Sequence, residues 1–214
     1  MPVIYKSKQE QPVPTVLAEA GLLVRTRAGL QAAAPDLQIN FNATMPVLLP
    51  ADYPKDGGPS FTFITILVRP QSIGEVALRS GDFRDAPRIS AHYLECETDL
   101  QVQVEAIKLC RRLAKTRAMA PFYQEEALPG ADKSEEELRQ YVRNHASTIW
   151  HPVGSCKMGR DRMAVVDPQL RVYGVKGLRV ADASIMPAIV SSNPNAACFM
   201  IGEKAADMIK TACG

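Results

Sequence analysis

The sequence predicts an α+β fold: an antiparallel sheet with helices, followed by a C-terminal strand and helix of different character. Three observations carry this expectation. Short β-rich runs alternate with Pro and Gly clusters as far as Val68, two helical patterns open on capping signals between Thr98 and His145, and glycines punctuate the chain from Trp150 onward.

Residues 1–16 carry Pro2, Pro12 and Pro14 with no hydrophobic period, and are predicted to be a loop or loose lead-in. The runs Leu22–Arg25, Leu37–Phe41 and Phe61–Ile66 then have β character, separated by Pro46, Pro50, Pro54 and the breaker cluster 57–59. Short strands joined in this way pair antiparallel. Glu75–Arg79 alternates polar and apolar residues like a half-buried strand, and the turn-rich stretch Gly81–Pro87 follows it.

Thr98-Asp99-Leu100-Gln101 has the form of a capping box, and Leu100, Val104, Ile107 and Leu113 recur at helical spacing, which predicts a helix over about 99–117. Ser134-Glu135-Glu136-Glu137 repeats the device with three acids in the first turn, where the helix dipole favours them, and opens a helix to about Asn144. Beyond Trp150 come four glycines, a strand Leu178–Ala181, and a last helix opened by Asn193-Pro194 that runs to about Thr211. Proline suits a first helical position because its missing N–H would be unpaired there.

The 214 residues are 46% hydrophobic and 22% charged, as in an ordinary folded chain. A net charge of +2 argues against nucleic acid or an anionic membrane as partner, and Arg111-Arg112 reads as a solvated helix face. No apolar run approaches the roughly 20 residues that span a bilayer, and Met1–Lys6 lacks the apolar core of a secretory signal, so the expected location is cytoplasmic. Five cysteines, an odd number without CxxC spacing, argue against a disulfide framework and a structural zinc, and read as buried free thiols.

Of three histidines, His92 falls between a strand and a helix with Tyr93 beside it, and His145 ends the acidic helix, where a cation suits the dipole; both read as structural or exposed. His151 stands apart. It lies in Trp150-His151-Pro152-Val153-Gly154-Ser155-Cys156-Lys157-Met158-Gly159, where proline fixes the backbone after it and glycines permit tight turns. Further on, a strand ends in Asp182-Ala183-Ser184, and Ser191-Ser192-Asn193-Pro194-Asn195 leads into a helix, the place where open α/β sheets bind ligands. Free N–H groups there suit a phosphate or a polarised ring carbonyl. Asn193 alone is equally explained by helix capping.

Together these segments resemble the C-terminal signature of the glucose-methanol-choline (GMC) flavin oxidoreductases, with choline dehydrogenase-like members nearest. The resemblance runs through Glu19-Ala20-Gly21, Pro35–Gln38, Gly74–Ser80 with Pro87-Arg88-Ile89 and Tyr93, and His151–Gly159. It continues in Val166-Asp167-Pro168, Leu170–Val175, Gly177–Ser184, Asn193-Pro194-Asn195 and Ile201–Ala206. It implies an FAD-dependent alcohol dehydrogenase or oxidase that takes a hydride from an alcohol carbon to flavin N5. His151 would be catalytic base or hydrogen-bond partner to the substrate hydroxyl, and Asn193 the second catalytic residue. Asp182 and Ala183 would lie near the FAD diphosphate and ribityl chain, and Pro194 and Asn195 near the flavin N1 and O2 edge. Pro194 has no N–H, so Asn195 would supply that donor.

The family binds the ADP half of FAD with a G-x-G-x-x-G βαβ unit, and that motif is absent from these 214 residues. The resemblance therefore implies residues 1–149 as part of a substrate-binding domain and 150–214 as a strand–helix segment of an incomplete FAD-binding α/β domain. Activity would require the N-terminal half, in cis or in trans. Without it, apolar surface on Leu178–Ala181 and the last helix should be exposed and invite a partner, a homo-oligomer or aggregation. A non-catalytic remnant and a hydroxynitrile lyase of the same fold are the alternatives. Trp150 and Tyr93 read either as pocket lining or as core.

Overall fold

The computed structural model describes residues 1–9, 18–26, 34–43 and 58–213. The chain divides into two compact units, one of Met1–Ser72 with Tyr93–Ser147, the other of Ile73–His92 with Thr148–Gly214.

The first unit is built on a five-stranded antiparallel sheet. Its strands are β1 (Pro2–Ser7), β2 (Ala20–Val24), β3 (Leu37–Asn42), β4 (Ser60–Leu67) and β7 (Tyr123–Leu128), in the spatial order β2-β3-β4-β1-β7. The expected loop at residues 1–16 is thus corrected at its start, and residues 10–16 lie outside the described residues. β1 is an interior strand, pairing Val3 with Phe63 and Tyr5 with Phe61. Its apolar run, Val3-Ile4-Tyr5, is too short to show a period, and the partners that make it a strand lie some 60 residues away in sequence. The breakers at 46, 50, 54 and 57 also lie outside the described residues.

Helices α1 (Glu97–Ala114) and α2 (Glu135–His145) cover one face of this sheet. Val3, Tyr5, Leu37, Ile39, Phe61 and Phe63 meet Leu100, Val104, Ile107, Leu138 and Val142 in a single core. Period two along each strand puts alternate side chains into it. Tyr5 stacks on Phe61 with ring centroids 5.1 Å apart, and Thr65 Oγ1 donates to Gln103 Oε1 at 2.7 Å, so a buried polar tie adds to the apolar packing of α1. Tyr141 Oη in α2 donates to the Pro2 carbonyl at 2.8 Å.

The Ser134 capping box forms in full, with Glu137 N–H donating to Ser134 Oγ at 3.3 Å and Ser134 N–H to Glu137 Oε2 at 2.9 Å. The box expected at Thr98 does not form. The N-cap is Cys96, which makes no side-chain cap bond, while its own N–H donates to Ser72 Oγ at 3.0 Å. Asp99, buried in the first turn, turns its carboxylate to the Gln71 and Ser72 N–H groups at 2.9 and 2.8 Å. A distant segment supplies what the local motif was expected to supply.

Arg111 also departs from the solvated face expected of it, since its guanidinium binds the buried Glu126 of β7. Of the four cysteines described as free thiols, only Cys110 is buried; Cys96, Cys156 and Cys198 are half-buried. Tyr93 and Trp150 are both exposed rather than core. Among the described residues, no helix is long and apolar enough to cross a membrane.

The second unit contains a two-stranded antiparallel sheet, β5 (Glu75–Ala77) with β6 (Arg88–Ser90), then an irregular segment, a 3-10 helix Ala183–Ile185, and α3 (Asn195–Cys213). β5 is shorter than the strand expected at Glu75–Arg79. Gly74 is required at its start: a Cβ there would lie 2.3 Å from the Ser90 carbonyl oxygen. The strand expected at Leu178–Ala181 does not form; only a bridge between Arg171 and Arg179 is present. An extended segment becomes a strand only when neighbours satisfy its backbone, and no further strand flanks this one among the described residues. Leu178 is exposed, as are Phe199, Met200 and Ile209 of α3, whereas Ile201 and Ala205 are buried. The expected exposure of apolar surface therefore holds for one side of α3 and for Leu178.

Candidate functional site

The chemistry-bearing residues singled out in the sequence all fall in the second unit, around a small apolar core. Val166, Leu170, Ile185, Met186, Ile201 and Ala205 are buried there, with Val153, Ala183, Ala197 and Cys198 packed against them. Val153 lies two residues after His151, Ala183 follows Asp182, and Ala197 and Cys198 belong to the first turns of α3. One core therefore anchors the three segments that carry the candidate residues.

The segment after His151 is fastened to the 3-10 helix by backbone bonds, Cys156 N–H to the Ser184 carbonyl at 3.0 Å and Met158 N–H to the Ile185 carbonyl at 2.7 Å. Gly154, at φ +87°, passes close to that helix: a Cβ built on it would lie 3.5 Å from the Met186 carbonyl oxygen. Asp182 caps the same helix, its Oδ1 accepting from Ser184 N–H at 2.8 Å. These bonds fix where the His151 backbone enters the site.

His151 is half-buried, and among the described residues no hydrogen bond engages its ring. Burial lowers its pKa below the ordinary imidazole value. The ring is thus neutral at neutral pH, with one nitrogen able to accept a proton. Asn193 is exposed, and among the described residues its carboxamide makes no hydrogen bond, so helix capping does not account for it. Asn195 rather than Pro194 is the first helical residue; the Pro194 carbonyl accepts the first helical bond, from Cys198 N–H at 2.9 Å. Proline accordingly sits one place earlier than expected. The N–H groups of Asn195 and Ala196 in the first turn have no acceptor within the helix, and both residues are exposed.

One feature of these segments is invisible in the sequence. Trp150, immediately before His151, and Ser191, two residues before Asn193, both have φ +59°. Left-handed backbone is uncommon for residues other than glycine, costs of order 1 kcal/mol or more, and persists where the surroundings enforce it. Each of the two candidate catalytic residues follows such a kink. His92 is exposed, and the His145 ring stacks on Tyr141 at 4.2 Å with Nδ1 2.9 Å from the Tyr141 carbonyl, which marks it as structural.

The residues present fit one edge of the implied flavin. The first turn of α3 presents N–H donors that have no partner among the described residues, and the positive end of the helix dipole, which suit an electron-rich ring edge. Asp182 is committed to its own 3-10 helix through one carboxylate oxygen.

Residues 70–202 match the GMC oxidoreductase family description, and the chain belongs to that family. It is 41% identical over 196 residues to an oxygen-dependent choline dehydrogenase of Escherichia coli O45:K1, covering 90% of this chain and 34% of that protein. To the choline oxidase of Arthrobacter globiformis it is 39% identical over 203 residues, covering 91% and 36%. The chain thus spans about a third of the length of the curated relatives it matches. Among solved structures it resembles pyridoxine 4-oxidase from Mesorbium loti, with TM-score 0.86 and 26% identity over 96% of this chain and 40% of that one. It also resembles a formate oxidase from Aspergillus oryzae studied for FAD modification, with TM-score 0.77 and 31% identity over 83% of this chain and 32% of that one.

Proposed function

We propose that this chain forms the C-terminal part of an FAD-dependent alcohol oxidoreductase, with residues 1–149 contributing to substrate binding and 150–214 to the flavin domain. The observation that carries this reading is the half-buried imidazole of His151, without a ring hydrogen bond among the described residues, on a loop pinned to the 3-10 helix. When bound, FAD supplies the acceptor, at its N5, for the hydride leaving the alcohol carbon.

His151 accepts the hydroxyl proton as that hydride departs, so no alkoxide has to form free in solution. Such general-base help is worth about 10²- to 10⁴-fold in rate. The Asn193 carboxamide donates a hydrogen bond to the same oxygen without competing for the proton. Asn195 N–H, at the positive end of α3, would offer a donor to the electron-rich edge of the flavin, and Asp182 and Ala183 would help hold its diphosphate and ribityl chain. The substrate is a small alcohol, a class supported by the choline-acting relatives.

The test joins this chain to the upstream polypeptide that completes it, in one chain or as two. Anaerobic flavin reduction by alcohols is then followed at the visible bands. Loss of reduction by about 10²-fold or more in His151→Ala, with a smaller loss in Asn193→Ala, is the expected result. Wild-type rates in both variants would overturn the assignment.

A further inference from the structure

The β5–β6 hairpin stands without a core. None of residues 73–92 is buried, and none joins either apolar cluster among the described residues. A two-stranded hairpin is marginal in water unless its apolar face is covered. Here Val76 and Ile89 are cross-strand partners, 57% and 71% exposed, and the two-residue period carries their face on to Leu78, 88% exposed. The opposite face is polar, with Arg88 Nη2 donating to Glu75 Oε1 at 3.1 Å. The turn between the strands holds itself. Asp82 N–H donates to Ser80 Oγ and Arg84 N–H to Asp82 Oδ1, both at 3.0 Å, and Arg79 Nε donates to the Ala86 carbonyl at 3.1 Å. On this self-bonded turn Phe83 is 95% exposed.

An aromatic on a pre-organised turn beside an apolar strand face has the form of an interface anchor, because little order has to be gained on binding. Between Glu75 and Arg88 the hairpin carries as many acids as arginines, so it presents no net charge to an ionic partner. The surface it fits is apolar. Apart from Leu22, Leu23 and Tyr93, every large hydrophobic side chain exposed among the described residues lies in the same second unit. These side chains fall on the hairpin, beside His151, along residues 163–190 and on α3. A two-fold contact between copies at the hairpin would cover one such patch, whereas covering several takes a larger neighbour. The hairpin lies within the family-matched residues 70–202, and the choline dehydrogenase relative has about two thirds of its length outside the part this chain matches. We propose that Val76, Leu78 and Ile89, with Phe83, form the seat on which that upstream polypeptide docks, which joins the hairpin to the flavin-binding body. The inference rests on the reading of this chain as the C-terminal part of a flavoenzyme.

Hydroxyl-radical footprinting, which marks exposed aromatic and aliphatic side chains, reads this face in the isolated chain and in the completed polypeptide. In the isolated chain Leu78, Phe83 and Ile89 should be marked at every protein concentration. In the completed polypeptide that marking should be lost. Leu78→Lys with Ile89→Lys removes no buried contact from the isolated chain and should leave its melting temperature unchanged, yet lower that of the completed polypeptide. Marking that persists in the completed polypeptide would overturn the proposal, as would equal melting temperatures of wild type and variant there. Protection that grows with concentration of the isolated chain would assign the face to a second copy and overturn it as well. Protection in a completed polypeptide whose flavin no alcohol reduces would sustain the docking face and count against the proposed oxidation alone.

Discussion

The guanidinium of Arg111 grips the carboxylate of Glu126 through two nitrogens, at 3.0 and 3.1 Å, and donates a further bond to the Gly130 carbonyl at 2.9 Å. The Glu126 side chain is 2% exposed and that of Arg111 20%. This pair ties α1 to β7, the strand at one edge of the sheet among the described residues. A buried carboxylate left without its partner is costly, because it has lost water and gained nothing in return. Arg111→Ala should therefore destabilise the first unit by about 3 kcal/mol, read from urea unfolding. Arg111→Lys should recover only part, since an ammonium cannot make the two-toothed grip. Stability unchanged in Arg111→Ala would overturn this account of the pair.

Gly74 admits no side chain. A Cβ would stand 2.3 Å from the Ser90 carbonyl oxygen and 2.8 Å from that of Ala91, both backbone atoms that cannot swing aside. Gly74→Ala should open the β5–β6 hairpin and raise its susceptibility to limited proteolysis. Cleavage at the wild-type rate would show that the backbone shifts without penalty.

The capping box at Ser134 offers a stability test and a pH test. Ser134→Ala should cost about 1 kcal/mol, measured by thermal or urea unfolding. In the intact box, Glu137 is held at a pKa of about 2 by Lys133 first, and by the Ser134 backbone and hydroxyl. Its folded value lies below its unfolded value near 4.3. The contribution is therefore present above the unfolded value and fades as the pH falls through the folded one. Carbon-detected NMR titration of the Glu137 carboxyl checks this; an ordinary glutamate midpoint would contradict the structure.

His151 should titrate below the ordinary imidazole value of about 6.5, because burial disfavours its charged form. Between the two values the unfolded chain binds more protons, so stability rises with pH across that window and falls as the ring is forced to charge. NMR of the ring protons in wild type and His151→Gln assigns the midpoint. A midpoint above 6.5 would remove the neutral base on which the proposed proton transfer depends.

Much of the sheet was legible because β3 and β4 carry strong β-branched and aromatic runs, and α2 because its capping box is complete within four residues. β1 and β7 were not legible. Val3-Ile4-Tyr5 is too short to show a period, and Tyr123–Leu128 holds Gln124, Glu125 and Glu126, which read as solvent-facing until Arg111 arrives from α1. Likewise, the helix start at Thr98 looked self-capped, but Ser72 and Asp99 make the bonds across a gap of more than 20 residues. In the candidate site, His151 and Asn193 could be picked out as residue types in a motif. The left-handed backbone at Trp150 and Ser191 could not, since nothing about tryptophan or serine announces it.

By itself, then, the sequence determined the local matters: the helix periods, the Ser134 cap, the glycines after His151, and the identity of the groups able to exchange a proton. Those properties depend on a few neighbouring residues and their intrinsic geometry. Tertiary structure alone decided that Pro2–Ser7 enters the sheet interior, that Arg111 meets the buried Glu126, that Leu178–Ala181 stays short of a strand, and that His151 is half-buried. Each of these depends on which distant groups arrive to satisfy a backbone or to exclude water, and pairing across space is what a local pattern does not encode.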